Sequence, residues 1–176
     1  MANRAARLHL LFLPLRCETV QIPKPPCDVF IPHRGVETKR NVAGLLHEYL
    51  GLNGLSSFLD CKTLMPGQRL SYEIRQAVHQ CKVGVPIFSP RYCESWHCMY
   101  ELALLTESGK GLVPIFWDIE PSQLQVPGHF RPRDVKRFAS ALDKARDTVG
   151  ITFNSSTGDW AKLLGDTHEA VQSILL

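Results

Sequence analysis

The sequence contains no apolar run approaching the ~18 residues that a bilayer-spanning helix needs, so no membrane partner is expected. None of its six cysteines (17, 27, 61, 81, 93 and 98) belongs to a Cys-x-x-Cys pair. The closest two, Cys93 and Cys98, have no second pair at metal-ligand spacing, so no metal site is expected. Basic residues are not gathered either. Twenty Lys+Arg stand against 17 Asp+Glu, the formal net charge is +3, and no dense basic run marks a nucleic-acid footprint. A few placed arginines would still suffice to meet an anionic nucleotide. Three enzyme signatures are missing: G-x-x-x-x-G-K-[ST], G-x-S-x-G, and a G-x-G-x-x-G after the first apolar run. Kinase-like, serine-hydrolase and conventional dehydrogenase chemistry are disfavoured accordingly. The short apolar stretch 8–15 is broken by Pro14 and closed by Arg16, and no small-residue cleavage pattern follows it.

What is present suits one soluble globular domain. The 176 residues are 44% hydrophobic and 21% charged, enough for one core and too few for two. Several cysteines sit in or beside apolar segments and read as buried free thiols of a reducing compartment, which points to the cytoplasm. The Ile22-Pro23-Lys24-Pro25-Pro26 segment is stiff and extended. It places a boundary between a loosely ordered extension, 1–26, and a domain, 27–176.

From Cys27 onward, strand-like and helix-like runs alternate, and no internal repeat is visible. Strands are expected at 28–31, 55–59, 83–88 and 112–117, and helices at 41–53, 95–108, 134–149 and 159–176. A loop over 60–70 turns at Pro66-Gly67. Ser71 is expected to cap the next helix, with Glu73 in its first turn. The third and fourth strands are continuous apolar runs, the pattern of a parallel sheet covered on both faces. The succession predicts a doubly wound α/β sheet, in which ligands bind beyond the carboxyl ends of the strands. Segments 32–40, 60–70 and 89–101 lie there.

Those segments also carry a family resemblance. Asp28-Val29-Phe30, followed by Arg34-Gly35-Val36-Glu37-Thr38-Lys39, resembles the first box of plant Toll/interleukin-1 receptor (TIR) domains. Phe58-Leu59-Asp60 with Leu64 and Pro66-Gly67 resembles the second strand and its "BB loop". Ile87-Phe88-Ser89-Pro90, Tyr92, Ser95 and Cys98-Met99-Tyr100-Glu101-Leu102 resemble the third box, which ends in Cys-Leu-x-Glu-Leu. Val113-Pro114-Ile115-Phe116 ahead of Glu120-Pro121-Ser122 resembles the fourth strand and its Asp-Pro-Ser turn. The match runs in order over about residues 27–126. Three departures stand out: Pro32-His33 replaces a frequent Ser-Phe, His97 occupies the place of a Trp with Trp96 one position earlier, and the connection 126–133 is short. No ATPase or leucine-rich region follows, so the resemblance is to a TIR-only protein. It implies a flavodoxin-like parallel sheet of about five strands with helices on both faces.

Glu101 is the leading site candidate. Cys98, Leu102 and Leu105 form an apolar stripe, and Glu101 falls beside it rather than opposite. Its neighbours at i−4 and i+4 are His97 and Leu105, so no routine helix ion pair is offered. A carboxylate at a core edge near strand ends is a site candidate. The resemblance gives Glu101 the role of holding the ribose of NAD+ during its cleavage. Arg34 pairs with Glu37 or Asp60, or else holds a phosphate or the adenosine side. Gly35 permits close approach of the backbone, and His33 is a further ligand candidate. Trp96 and His97 are flat groups that could stack on nicotinamide or adenine; Trp96 reads first as core packing, and His97 reads evenly as either.

The activity implied is that of an NAD+ nucleosidase, with ADP-ribosyl cyclase activity beside it, signalling in plant immunity and cell death. NAD+ enters as substrate and no cofactor is expected. The resemblance also implies activity through TIR–TIR self-association, with Leu64, Pro66, Gly67 and Arg69 in the contact loop and other TIR proteins as further partners. Two alternatives stand beside it: a non-catalytic TIR–TIR adaptor, and nucleotide synthesis on RNA or DNA.

Overall fold

A computed structural model of the chain describes residues 27–38, 42–59 and 70–176. The expected extension 1–26 and the loop residues 60–69 lie outside the described residues. Along the chain come β1 (Val29–Phe30), the short α1 (Gly35–Thr38), α2 (Val42–Leu52), β2 (Ser57–Phe58), α3 (Leu70–Gln80), β3 (Val83–Gly84) and β4 (Ile87–Phe88). There follow α4 (Trp96–Glu107), β5 (Gly111–Leu112), β6 (Ile115–Trp117), α5 (Pro132–Arg146), β7 (Ile151–Phe153) and α6 (Trp160–Leu175).

Two prolines govern how the strands are written. All pairings are parallel, in the ladders β2-β1-β3-β5 and β4-β6-β7. Pro86 and Pro114 lie between the halves, and neither has an N–H to give to a ladder. Hydrogen bonding nevertheless continues past them. Val85 N–H donates to the Phe30 carbonyl at 2.8 Å, and Ile87 N–H to that of Pro32 at 2.9 Å. Val113 N–H donates to Gly84 and Ile115 N–H to Pro86, each at 2.9 Å. Runs 83–88 and 111–117 therefore act as single strands with one rung missing. Read this way, five parallel strands lie in the order β2, β1, β3/β4, β5/β6, β7, the doubly wound arrangement expected.

Alternation along these strands fills two faces. Val29, Ile31, Val83, Val85, Ile87, Val113, Ile115 and Trp117 pack with α2 and α6. On the other face Phe88 and Phe116 pack with α4 and α5, and Phe30 with α3. A Cβ on Gly84 would lie 2.6 Å from Leu105 Cδ1, so this glycine lets α4 lie close on the sheet.

Some boundaries differ from expectation. Helix α3 begins at Leu70, so Ser71 is a helical residue and not its cap. The fifth strand, β7, was not placed by sequence, because three residues carry too little alternation to separate strand from loop.

Cys27, Cys81, Cys93 and Cys98 are free and buried; Cys17 and Cys61 lie outside the described residues. Burial, then the neighbouring Cys81, pushes the Cys27 thiol up to about 12. Burial likewise takes Cys81 and Cys93 to about 11. The thiolate is the reactive form, so Cys27, Cys81 and Cys93 should resist iodoacetamide at pH 8 until the protein is denatured. Peptide mapping reads the result; rapid native labelling of Cys93 would mean that the α4–α5 core opens readily.

Candidate functional site

The end of β1 is tied to the start of α4. His33 is buried and bridges to Ile87. Its Nδ1 lies 3.1 Å from the Ile31 carbonyl, which can only accept, so Nδ1 carries a proton. The Cys98 thiol donates to the His33 carbonyl at 3.6 Å. Ser95 caps α4, its hydroxyl accepting from the Cys98 amide at 3.3 Å.

Arg34 braces this corner. Its Nη1 donates to the Arg91 carbonyl at 2.7 Å and lies 3.6 Å from Glu94, while its Nε is 3.9 Å from Glu37. Ser89 in turn donates its hydroxyl to the Glu37 carboxylate. The Glu37 pairing foreseen for Arg34 is thus present, and Asp60 lies outside the described residues. Gly35 opens α1 directly beyond Arg34 and is exposed.

Glu101 lies one turn after Cys98 and is 8% exposed, between the fully buried Leu102 and Leu105 and a cavity of about 840 Å³. The cavity lies among α3, α4 and α5, and its wall includes Arg75, Trp96, His97, Tyr100, Asp134 and Arg137 beside Glu101. Trp96 corrects an expectation. It is 38% exposed rather than packed in the core. Its ring stacks on Tyr100 (4.9 Å, 12°), meets His97 edge-on at 5.4 Å, and donates from its indole N–H to Asp134 at 3.3 Å.

The structure therefore brings Glu101, Trp96 and His97 to one cavity. His33, Arg34 and Gly35 form the neighbouring corner, joined to α4 through Cys98. Leu64, Pro66, Gly67 and Arg69 lie outside the described residues. Sequence reasoning passed over Arg75, Tyr100, Arg133, Asp134 and Arg137, which belong to the cavity wall. The Arg133, Lys136, Arg137 spacing on α5 was the available signal, since it sets three basic residues on one helical face.

A doubly wound parallel sheet with a buried carboxylate at a cavity, on the helix that follows the middle strand, defines a ligand-binding α/β domain. Residues 29–149 match the model of the TIR domain, and the chain belongs to that family. It is 49% identical over 150 residues to a probable 2' cyclic ADP-D-ribose synthase, BdTIR, of Brachypodium distachyon, covering 82% of this chain and 67% of that protein. It is 31% identical over 145 residues to the disease resistance-like protein CSA1 of Arabidopsis thaliana, covering 80% of this chain but 11% of that protein. Among solved structures it is similar to the TIR domains of the activated Roq1 resistosome, which directly recognises the pathogen effector XopQ. There the identity is 28% and the TM-score 0.67, over 85% of this chain and 97% of that one. No helix among the described residues is long and apolar enough to cross a membrane.

Proposed function

We propose that this chain cleaves the bond between nicotinamide and ribose in NAD+, as a self-associated cytoplasmic enzyme whose products signal in plant immunity and cell death. The observation that carries the reading is Glu101, a buried carboxylate at the wall of a cavity large enough for a nucleotide. Similarity to the probable 2' cyclic ADP-D-ribose synthase BdTIR and to the Roq1 TIR domains supports the substrate and the setting.

One carboxylate is sufficient for this reaction. O-glycosidases need a second to protonate a poor leaving group. The nicotinamide of NAD+ is already cationic. When the bond from C1' to its nitrogen breaks, the electron pair neutralises the ring, which departs without a proton. Glu101 accepts hydrogen bonds from the ribose hydroxyls and stabilises the positive charge growing at C1'. Water adding to C1' then gives ADP-ribose and a proton; a hydroxyl of the same molecule adding there gives a cyclised product and a proton. His97 and Trp96 offer flat surfaces near the reacting ring, and His33, Arg34 and Gly35 line the adjoining corner. NAD+ is itself the substrate and no cofactor takes part. Incubating concentrated protein with NAD+ and identifying products by mass spectrometry tests the reading. Nicotinamide should appear with an equal amount of ADP-ribose or of a cyclised product one water lighter, and its absence at high protein concentration overturns the reading.

Self-association is assigned to the loop containing Leu64, Pro66, Gly67 and Arg69. Turnover per chain should then rise with protein concentration, as mass action requires of a site completed by a neighbour. Gly67→Arg should keep turnover low although Glu101 is intact, because glycine there can take backbone angles that arginine avoids. A dilution series with light scattering checks this. Constant turnover per chain down to monomeric concentrations would show that one chain holds the whole site.

A further inference from the structure

Tyr100 is gripped by two arginines that come from different helices and face the same cavity as Glu101. Arg75 on α3 donates its Nε–H to the Tyr100 hydroxyl at 2.8 Å, with its guanidinium carbon 5.8 Å from the ring centre. Arg137 on α5 lies 5.0 Å from the centre of the same ring. Both oxygens of Glu107 accept from Arg137, at 2.6 and 2.7 Å, which fixes the plane of its guanidinium. That hydrogen bond holds Glu107 below the usual carboxylate range and raises Arg137, so the brace stays ionised at neutral pH.

A guanidinium carries five N–H donors. The contacts above leave about four on Arg75 and about three on Arg137. Among the described residues no carboxylate pairs with Arg75. Two oriented guanidiniums bordering one cavity present their remaining donors to whatever anion enters it, and little side-chain entropy is left to lose on binding. The cavity volume of about 840 Å³ falls in the range of small-molecule sites.

Resting on the NAD+-cleaving reading, we propose that Arg75 and Arg137, braced against Tyr100, are the residues that hold the diphosphate of the dinucleotide while Glu101 holds the ribose to be cleaved. The site then distinguishes dinucleotides from nicotinamide riboside, which has no phosphate. Tyr100 is a positioning residue, since it aims both arginines without meeting the reacting atoms.

The test uses Arg75→Gln, Arg137→Gln and the double variant, each checked by thermal unfolding. Arg75 is exposed and its replacement should leave the fold intact. Charge-assisted hydrogen bonds of this kind are worth enough that each loss should raise the KM for NAD+ about tenfold, with a smaller change in kcat. Turnover of nicotinamide riboside should change little. Calorimetry with ADP, which carries the diphosphate and no bond to cleave, should show binding to wild type and to Glu101→Gln, and its loss in the double variant. An unchanged KM for NAD+ together with unchanged ADP affinity in a folded double variant overturns the assignment, as does failure of wild type to bind ADP. Arginine-dependent ADP binding without NAD+ cleavage would keep the clamp and overturn the nucleosidase reading instead.

Discussion

Glu101→Gln is expected to lower NAD+ turnover by about two to three orders of magnitude, the size seen when one group that stabilises a developing charge is removed. The substitution keeps the shape of the side chain in its place beside Leu102 and Leu105, so the core around it should persist. What it removes is the negative charge facing the cavity. Neutral glutamine can still hydrogen-bond a ribose hydroxyl, so the loss should fall on kcat more than on KM. Nicotinamide release measured beside circular dichroism gives the answer. Turnover like wild type in a folded variant would end the assignment of Glu101.

Phe138→Ala has the largest expected effect on stability. Phe138 is fully buried on α5, edge-on to Trp96 at 6.1 Å and to Phe130 at 5.7 Å. Emptying such a site costs roughly 3–5 kcal/mol out of a total that is typically about 5–15 kcal/mol. For a chain of this size the melting temperature should fall by about 6–20 °C. The same ring supports Trp96, which carries the stack with Tyr100. The KM for NAD+ should therefore rise at temperatures where the variant is still folded. Urea unfolding and steady-state kinetics read the two effects separately. A stability loss under about 1 kcal/mol would mean that the surroundings collapse into the space.

Which parts of this were legible in the sequence follows from how local each signal is. The strand 83–88 and the helix 95–108 were readable because their causes lie within a few residues: an apolar run in one, and a Ser95 cap ahead of an apolar stripe in the other. Glu101 was readable for the same reason, its placement beside Cys98, Leu102 and Leu105 being set by helical periodicity. The exposure of Trp96 was not. Whether an aromatic ring faces the core or a cavity depends on partners such as Tyr100, Asp134 and Phe138, two of which arrive from α5. The α5 spacing marks Arg137 as one of a basic face, but its meeting with Arg75 at one ring was invisible for a stronger reason. Each looks like a solvated helix residue until α3 and α5 are laid against α4, and the brace on Arg137 is a glutamate thirty residues away.

Pro86 and Pro114 divide the middle of the sheet into separately closable halves. Neither position has an amide proton, so a deuterium-exchange map would show each central strand as two protected stretches with a gap. A local opening that starts at the end carrying His33, Ser89 and the first turn of α4 can release the amides of Ile87, Phe88, Ile115 and Phe116 and stop at the prolines. The amides of Val83, Val85 and Val113 need not follow, and free energies of opening should step upward across that line. The end of the sheet nearest the candidate site can breathe while the other end stays shut.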